Sequence, residues 1–418
     1  MDRTESQILV EQCLRALESP GSFSTLHREP ALGLALEVEG VGSIPLPLTE
    51  PAIAALEAVA APSPFGHREE TRHDPEVRRS REIPGTALRL DPRTWGARLD
   101  RAVKHLADGL GFPPGAAVRA EPNKLLLYRE GDFFAPHQDS ERVPGAVATM
   151  VLLLPSRYTG GEIVVRHGGE QLTHATAERA DSSLYFVGFY ADCVHEIRPV
   201  TSGCRVALTF VLHVEADRAV SAGLTQDARL TSQLARYFDE GSDPCLVYLL
   251  DHAYSSQGLD WSRLKNGDRL RTRALREAGE SIGCACYLAM ADVCEWIDIG
   301  EDGEEETSAA ATDEATIAGL YDAPLTVARS SGGGFFGEPD GMRLELSGWV
   351  DAEGRAVAPV VDEVEGWSVV RTAGAEAREV YRTEHEPWTG NEGGTSEQWY
   401  HQAVLVLVPR DRSRERTG

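Results

Sequence analysis

Four side chains stand out for the chemistry they could do together. His137 and Asp139 sit in Gly131-Asp132-Phe133-Phe134-Ala135-Pro136-His137-Gln138-Asp139, and His195 and then Arg205 follow later in the chain. On an extended strand, residues two apart project to the same side, so an imidazole and a carboxylate in H-x-D can grip one ion. A distant second imidazole closes a face of two histidines and one carboxylate. Such a face leaves positions of an octahedral metal open, which suits a mononuclear non-heme Fe(II) that must also bind other molecules. Arg205 then supplies an anion partner. It lies in Thr201-Ser202-Gly203-Cys204-Arg205-Val206-Ala207-Leu208-Thr209-Phe210, where a turn runs into a β-branched and apolar strand. Thr209 falls on the same strand face, so guanidinium and hydroxyl could bind one carboxylate together. A lone H-x-D arises by chance in many chains, whereas four such groups in this order on strand-like segments form a far more specific pattern. Taken singly, His137 reads equally as a loop histidine and His195 as a satisfied strand histidine.

At these residues the chain resembles the Fe(II)/2-oxoglutarate-dependent dioxygenases, and within them the prolyl 4-hydroxylase-like branch. The resemblance covers roughly residues 120 to 215, through Lys124-Leu125-Leu126-Leu127-Tyr128, Gly131-Asp132-Phe133-Phe134, His137-Gln138-Asp139, Gly160-Gly161-Glu162 and His195 to Arg205. It implies that His137, Asp139 and His195 hold iron and that Arg205 pairs with the distal carboxylate of 2-oxoglutarate. Tyr128 resembles the tyrosine that hydrogen-bonds the co-substrate from a neighbouring strand, and Thr209 the threonine beside the arginine. Read from its own apolar strand, Tyr128 serves equally well as core packing. One departure stands out: many prolyl hydroxylases carry a tyrosine on the strand after H-x-D, where this chain reads Thr149-Met150-Val151-Leu152-Leu153-Leu154.

The resemblance implies Fe(II), 2-oxoglutarate and O2 as cofactor and co-substrates, with ascorbate as an optional reductant. It implies hydroxylation of a C–H bond with release of succinate and CO2. Related halogenases replace the carboxylate by a small residue, so Asp139 favours hydroxylation. Nucleic-acid demethylases of the superfamily add an arginine six residues after the first, a position held here by Val211. The branch points to a peptide or protein side chain as substrate. A free amino acid or natural product is the alternative, and a non-catalytic module that keeps iron and 2-oxoglutarate without turnover is a third reading.

Composition narrows the partners. The chain has 418 residues, too many for one core, and an apolar content of 42%, enough for well-packed domains. Its formal charge of −25 repels phosphate backbones and argues against nucleic acid. The seven cysteines are scattered, the N-terminal residues lack a basic stretch followed by an apolar one, and no run approaches a membrane span. A reducing cytoplasm is the expected location, and it would keep iron ferrous. Cys284-x-Cys286 lacks the second pair of a zinc site and reads as buried small residues. Nothing in the sequence sets the oligomeric state.

The elements that must position the four side chains follow from periodicity. Short apolar runs at about 123–129, 146–154, 162–166, 183–189 and 204–214, separated by Gly, Pro or Asp turns, predict a double-stranded β-helix or jelly roll. The spacing predicts helices over 5–18, 50–60 and 95–109, the last buttressing a sheet from outside, and strands within 31–47. The breaker cluster Ala61-Pro62-Ser63-Pro64-Phe65-Gly66 opens a polar stretch with Arg68, Arg72, Arg78, Arg79 and Arg81. By the same resemblance this stretch stands where a mobile loop closes over substrate, with Arg78 and Arg79 as substrate contacts. A solvated loop whose arginines pair with nearby acids is the alternative.

The expected organisation is a dioxygenase domain over 1–216 with its β-helix core at 117–214, a helical connector over 217–243, and an α+β domain over 244–418 that is open to reading as a degenerate second β-helix. A buried strand at 245–250, a charged helix at 258–279 and strands at about 342–350, 366–371 and 401–408 belong to that last part. The acidic run from Glu301 to Glu306 reads as part of a flexible insertion, and Ser330-Ser331-Gly332-Gly333-Gly334 as a turn without the lysine of a phosphate loop.

Overall fold

The apolar runs of the first half pair into two sheets in the computed structural model, which describes residues 4–67, 70–139, 145–177, 182–214, 227–240, 244–299, 340–372, 380–386 and 394–410. The chain divides into two compact units, Pro20–Arg218 and a second made of Met1–Ser19 with Ala219–Gly418.

In the unit Pro20–Arg218 the larger sheet has eight strands. Its central order is Ser183–Tyr190, Ala146–Leu154, Val200–Val214 and Val118–Arg129, flanked by Ser24–Pro30 on one side and Arg81–Pro84 on the other. The smaller sheet runs Phe134–His137, Val194–Ile197, Ile163–His167 and Glu170–His174. These are the two sheets of a double-stranded β-helix, and one hydrophobic core joins them.

Two central strands of the larger sheet, Ala146–Leu154 and Ser183–Tyr190, are largely apolar and do not alternate. Every residue of Ser183–Tyr190 is buried, because one face looks into the barrel and the other is covered. Helices α1 (Glu5–Arg15), α2 (Glu50–Val59) and α3 (Pro92–Gly109) precede the four central strands. Helix α3 supplies the cover: Asp91 caps it by accepting from the Arg93 amide, and it buries Trp95, Ala102 and Leu106. The Tyr190 hydroxyl donates to the Leu110 carbonyl at its C-terminal end. This is the buttress that its spacing predicts.

The second unit corrects several expectations. Its sheet has seven strands and includes Leu246–Leu249, Cys284–Ile299, Gly341–Val350 and Gly394–Pro409. Cys284–Ile299 and Gly394–Pro409 pair antiparallel along their whole length. Helices α4 (Ala228–Glu240) and α5 (Asn266–Ser281) belong to this unit, and Leu230, Leu234 and Tyr237 of α4 join Leu275 of α5 in a core with Leu405 and Leu407 of the sheet. Among the described residues this is one sheet with helical cover, an α+β arrangement; the two facing sheets of a second β-helix are not formed.

The N-terminal helix also changes place. Val10, Cys13 and Leu14 of α1 are buried in the core of the second unit, so α1 is grouped there and not with the barrel. The stretch expected as a connector contributes a core helix instead, because the apolar residues of α4 recur at helical spacing. Helix α5 begins later than its charge pattern predicts. Residues 261–263 form a short 3-10 turn in which Asp260 accepts from the Ser262 amide, and the helix starts only after it. The acidic run from Glu301, the Ser330–Gly334 turn and residues 387–393 lie outside the described residues. No helix among the described residues is long and apolar enough to cross a membrane.

Candidate metal centre

The smaller sheet brings the two histidines face to face. Phe134–His137 pairs antiparallel with Val194–Ile197, with His137 directly opposite His195 and Phe134 opposite Ile197. Three steps on one strand therefore match two on the other. The extra residue is a β-bulge, and Pro136, which has no amide hydrogen to offer a ladder, lies within it. The strand ends at His137, so H-x-D is not wholly extended as its spacing suggests. Asp139 is held beyond the strand end by its own amide, which donates to the Ala191 carbonyl at 3.1 Å.

The resulting cluster can hold one ion. One ligand atom each from His137, Asp139 and His195 lies within 4.8 Å of the others. The two imidazole rings are 4.1 Å apart, and His195 Nε2 is 3.9 Å from Asp139 Oδ2. Both histidines are aimed by the backbone: His137 Nδ1 contacts the Ala135 carbonyl at 2.9 Å and His195 Nδ1 the Cys193 carbonyl at 3.1 Å. A carbonyl can only accept, so each Nδ1 carries the hydrogen and each Nε2 is left with its lone pair for a metal.

Electrostatics favour the ligating forms. Burial, and after it the neighbouring His195, holds the His137 imidazole well below its ordinary range and keeps it neutral. Burial pushes the Asp139 carboxyl up, but His195, His137 and the Thr149 hydroxyl outweigh it and the net direction is down. The acid is enclosed on its inner side while 37% of its side-chain surface stays open.

Thr149 is a contact that the sequence reading left unassigned. Its hydroxyl donates to Asp139 Oδ2 at 2.6 Å and so orients that carboxylate from the strand Ala146–Leu154. Thr149→Val should weaken Fe(II) binding by roughly 10-fold, with Thr149→Ser close to wild type, in an anaerobic titration. Equal affinities for all three would refute this role.

Arg205 lies on the larger sheet and is 1% exposed. Its Nε and Nη2 have no hydrogen-bond partner among the described residues. A buried guanidinium with idle donors is costly, and a carboxylate of the right size would satisfy it. Its stem packs on Gly161, where φ is +67° and an added Cβ would sit 2.7 Å from Arg205 Cδ, so glycine is required twice over. Tyr128 is the cross-strand neighbour of Arg205, and its ring lies 5.3 Å from the guanidinium carbon. Tyr128 is thus fully packed and its ring also lies against the Arg205 guanidinium. Thr209 differs from expectation, since its hydroxyl donates to the Lys124 carbonyl at 3.2 Å. Tyr158 was not anticipated. It is buried, its hydroxyl is 2.8 Å from Thr176 Oγ1, and burial raises its pKa while the Arg205 charge opposes that shift. Its place just before Gly160-Gly161 is the one signal the sequence offers.

Arg78 and Arg79, the expected substrate contacts, differ in setting. Arg78 is 8% exposed and donates to the Pro64 carbonyl and to Ser80 Oγ. Arg79 is half exposed, donates to the Pro75 carbonyl and lies over Phe133. Their segment is tied to the metal strand, with Arg79 N donating to Phe133 O and Ala135 N to Val77 O. Local acids do pair with it, Glu82 with Arg78 and Glu76 with Arg79. At the other candidate motif, burial pushes the Cys284 and Cys286 thiols up to about 11 and about 12, which suits packed thiols and not metal-binding thiolates.

The sequence model of the 2OG-Fe(II) oxygenase superfamily matches residues 124–213. No curated protein matches the chain. Among solved structures, a 2OG-Fe(II) oxygenase-family oxidoreductase from Burkholderia pseudomallei is similar at 18% identity, covering 51% of this chain and 93% of its own, with a TM-score of 0.28. A Trichoplax adhaerens prolyl hydroxylase, solved with a hypoxia inducible factor peptide fragment, is similar at 15% identity over 52% of this chain and 95% of its own, with a TM-score of 0.30. A prolyl-4-hydroxylase from Pseudomonas putida is similar at 15% identity over 50% and 99%, with a TM-score of 0.27.

Proposed function

We propose that this protein, whose residues 124–213 match the sequence model of the 2OG-Fe(II) oxygenase superfamily, is a 2-oxoglutarate-dependent dioxygenase that hydroxylates a C–H bond in a peptide or protein side chain. The observation that carries the reading is a His-Asp-His cluster in the same barrel as a buried arginine with unpartnered donors. His137, Asp139 and His195 would hold Fe(II), and Arg205 would pair with the distal carboxylate of 2-oxoglutarate beside Tyr128. Thr209 is a weaker candidate, because its hydroxyl already donates within the sheet. Bound iron and 2-oxoglutarate supply the activation of O2, with succinate and CO2 as by-products.

The chain's own part is orientation and exclusion of water. The Ala135 and Cys193 carbonyls fix both imidazoles, Thr149 holds the carboxylate, and the apolar core around Arg205 keeps its charge undiluted for a partner. The macromolecular substrate is favoured by the prolyl 4-hydroxylase-like motifs. Asp139 keeps 37% of its side-chain surface open and Gln138 is exposed, so this side of the cluster faces outward.

The test is succinate formation from 2-oxoglutarate with Fe(II), O2 and either peptide libraries or small amino acids. The expected result is turnover that a chelator abolishes and Fe(II) restores, with peptides gaining the mass of one oxygen atom. Turnover only with free amino acids or metabolites would overturn the peptide assignment. Absence of turnover with every substrate class and with cell extract would overturn the enzyme and favour a binding module.

A further inference from the structure

We propose that Arg78 is a positioning residue for His137 and acts through the ring of Phe134. The inference rests on the reading of His137 as a metal ligand. Phe134 is buried, and its ring stacks on the His137 imidazole with centroids 3.5 Å apart and planes at 22°. The guanidinium carbon of Arg78 lies 4.4 Å from the centroid of the same phenyl ring. Guanidinium, phenyl and imidazole therefore form one chain of contacts that ends at the ligand. The two rings share a face only because of the bulge, since residues three apart on a regular strand project to opposite sides.

Arg78 is itself locked. Its Nη1 donates to the Pro64 carbonyl at 2.7 Å, its Nε to Ser80 Oγ at 3.0 Å, and its Nη2 is 3.8 Å from Glu82 Oε2. Its backbone forms an antiparallel bridge with Phe134, flanked by Arg79 N to Phe133 O at 3.0 Å and Ala135 N to Val77 O at 2.9 Å. Phe134–His137 is the end strand of the smaller sheet, so this segment covers an edge that would otherwise be open. A cation over an aromatic face is attracted by the ring's negative quadrupole, and burial strengthens that attraction. The phenyl ring is thus pinned between a fixed charge and the imidazole. On its other side His137 meets the His195 ring, and its edge is tied to the Ala135 carbonyl. Phe134, His195 and the Ala135 carbonyl together restrict the imidazole plane and with it the direction of Nε2.

Co(II) binding to the metal-free protein tests this without turnover. Arg78→Met and Phe134→Leu should each weaken Co(II) binding by roughly 10-fold, the usual scale for groups that orient ligands, and shift the cobalt absorption bands. Phe134→Tyr keeps the ring and should bind as wild type. The double variant Arg78→Met/Phe134→Leu should be no weaker than Phe134→Leu alone, because the arginine acts only through the ring. Circular dichroism and melting curves confirm folding, and if Phe134→Leu does not fold, Arg78→Met with Phe134→Tyr still decides. Wild type and Arg78→Met binding Co(II) equally, with the same spectrum, would overturn the inference alone. Wild type that fails to bind Co(II) would overturn the metal-centre reading and the inference with it.

Discussion

Arg205→Met should move stability and binding in opposite directions. The metal-free and ligand-free protein should become more stable, because the substitution removes a buried guanidinium whose Nε and Nη2 are unpartnered and replaces it with an apolar chain of similar length. Replacing buried ionic groups by hydrophobic ones commonly gains roughly 1–4 kcal/mol. Burial already holds the Arg205 pKa below its ordinary value, with Tyr158, Tyr128 and Glu162 only partly offsetting that penalty. Binding of 2-oxoglutarate should fall by about 100-fold, since truncating one member of a buried charge pair costs about 2–5 kcal/mol. Thermal melting and calorimetric titration with 2-oxoglutarate measure the two effects. A variant that loses stability and keeps its affinity would mean that Arg205 is structural and that the co-substrate binds elsewhere.

His137→Ala should abolish succinate formation and weaken Fe(II) binding by about 100-fold. Structural zinc sites with four ligands contribute about 10–16 kcal/mol, so one ligand is worth on the order of 3 kcal/mol, or two powers of ten. The loss should exceed that of Thr149→Val, because Thr149 would only orient a ligand while His137 would supply one. Anaerobic Fe(II) titration and a succinate assay give the comparison. Retained succinate formation in His137→Ala would remove this residue from the centre.

The candidate ligand set was legible because its chemistry is written in residue types. Two histidines, one aspartate and one arginine in a fixed order on strand-like segments have few joint explanations, and His137, Asp139 and His195 do meet in space. The barrel was legible for a related reason. Two of its central strands, Ala146–Leu154 and Ser183–Tyr190, are buried on both faces, so they appear as apolar runs bounded by turn residues. Cys284–Ile299 escaped notice because its run of alanine, cysteine and methionine has little of the β-branched character that marks strands. Its partner Gly394–Pro409, across the whole ladder, is what makes it a strand.

By itself, then, the sequence determined which groups could bind a metal and an anion, and that strands carry them. Tertiary structure decided how they are aimed. The bulge around Pro136 puts Phe134 and His137 on one face, Thr149 takes hold of Asp139 from another strand, and Arg78 becomes a locked support beneath Phe134. It also assigned α1 to the unit at the far end of the chain. The physical reason is common to all four. A side chain's chemistry is local and follows from its type, whereas its direction and partners depend on strand register, bulges and packing between segments distant in sequence, which local periodicity does not encode.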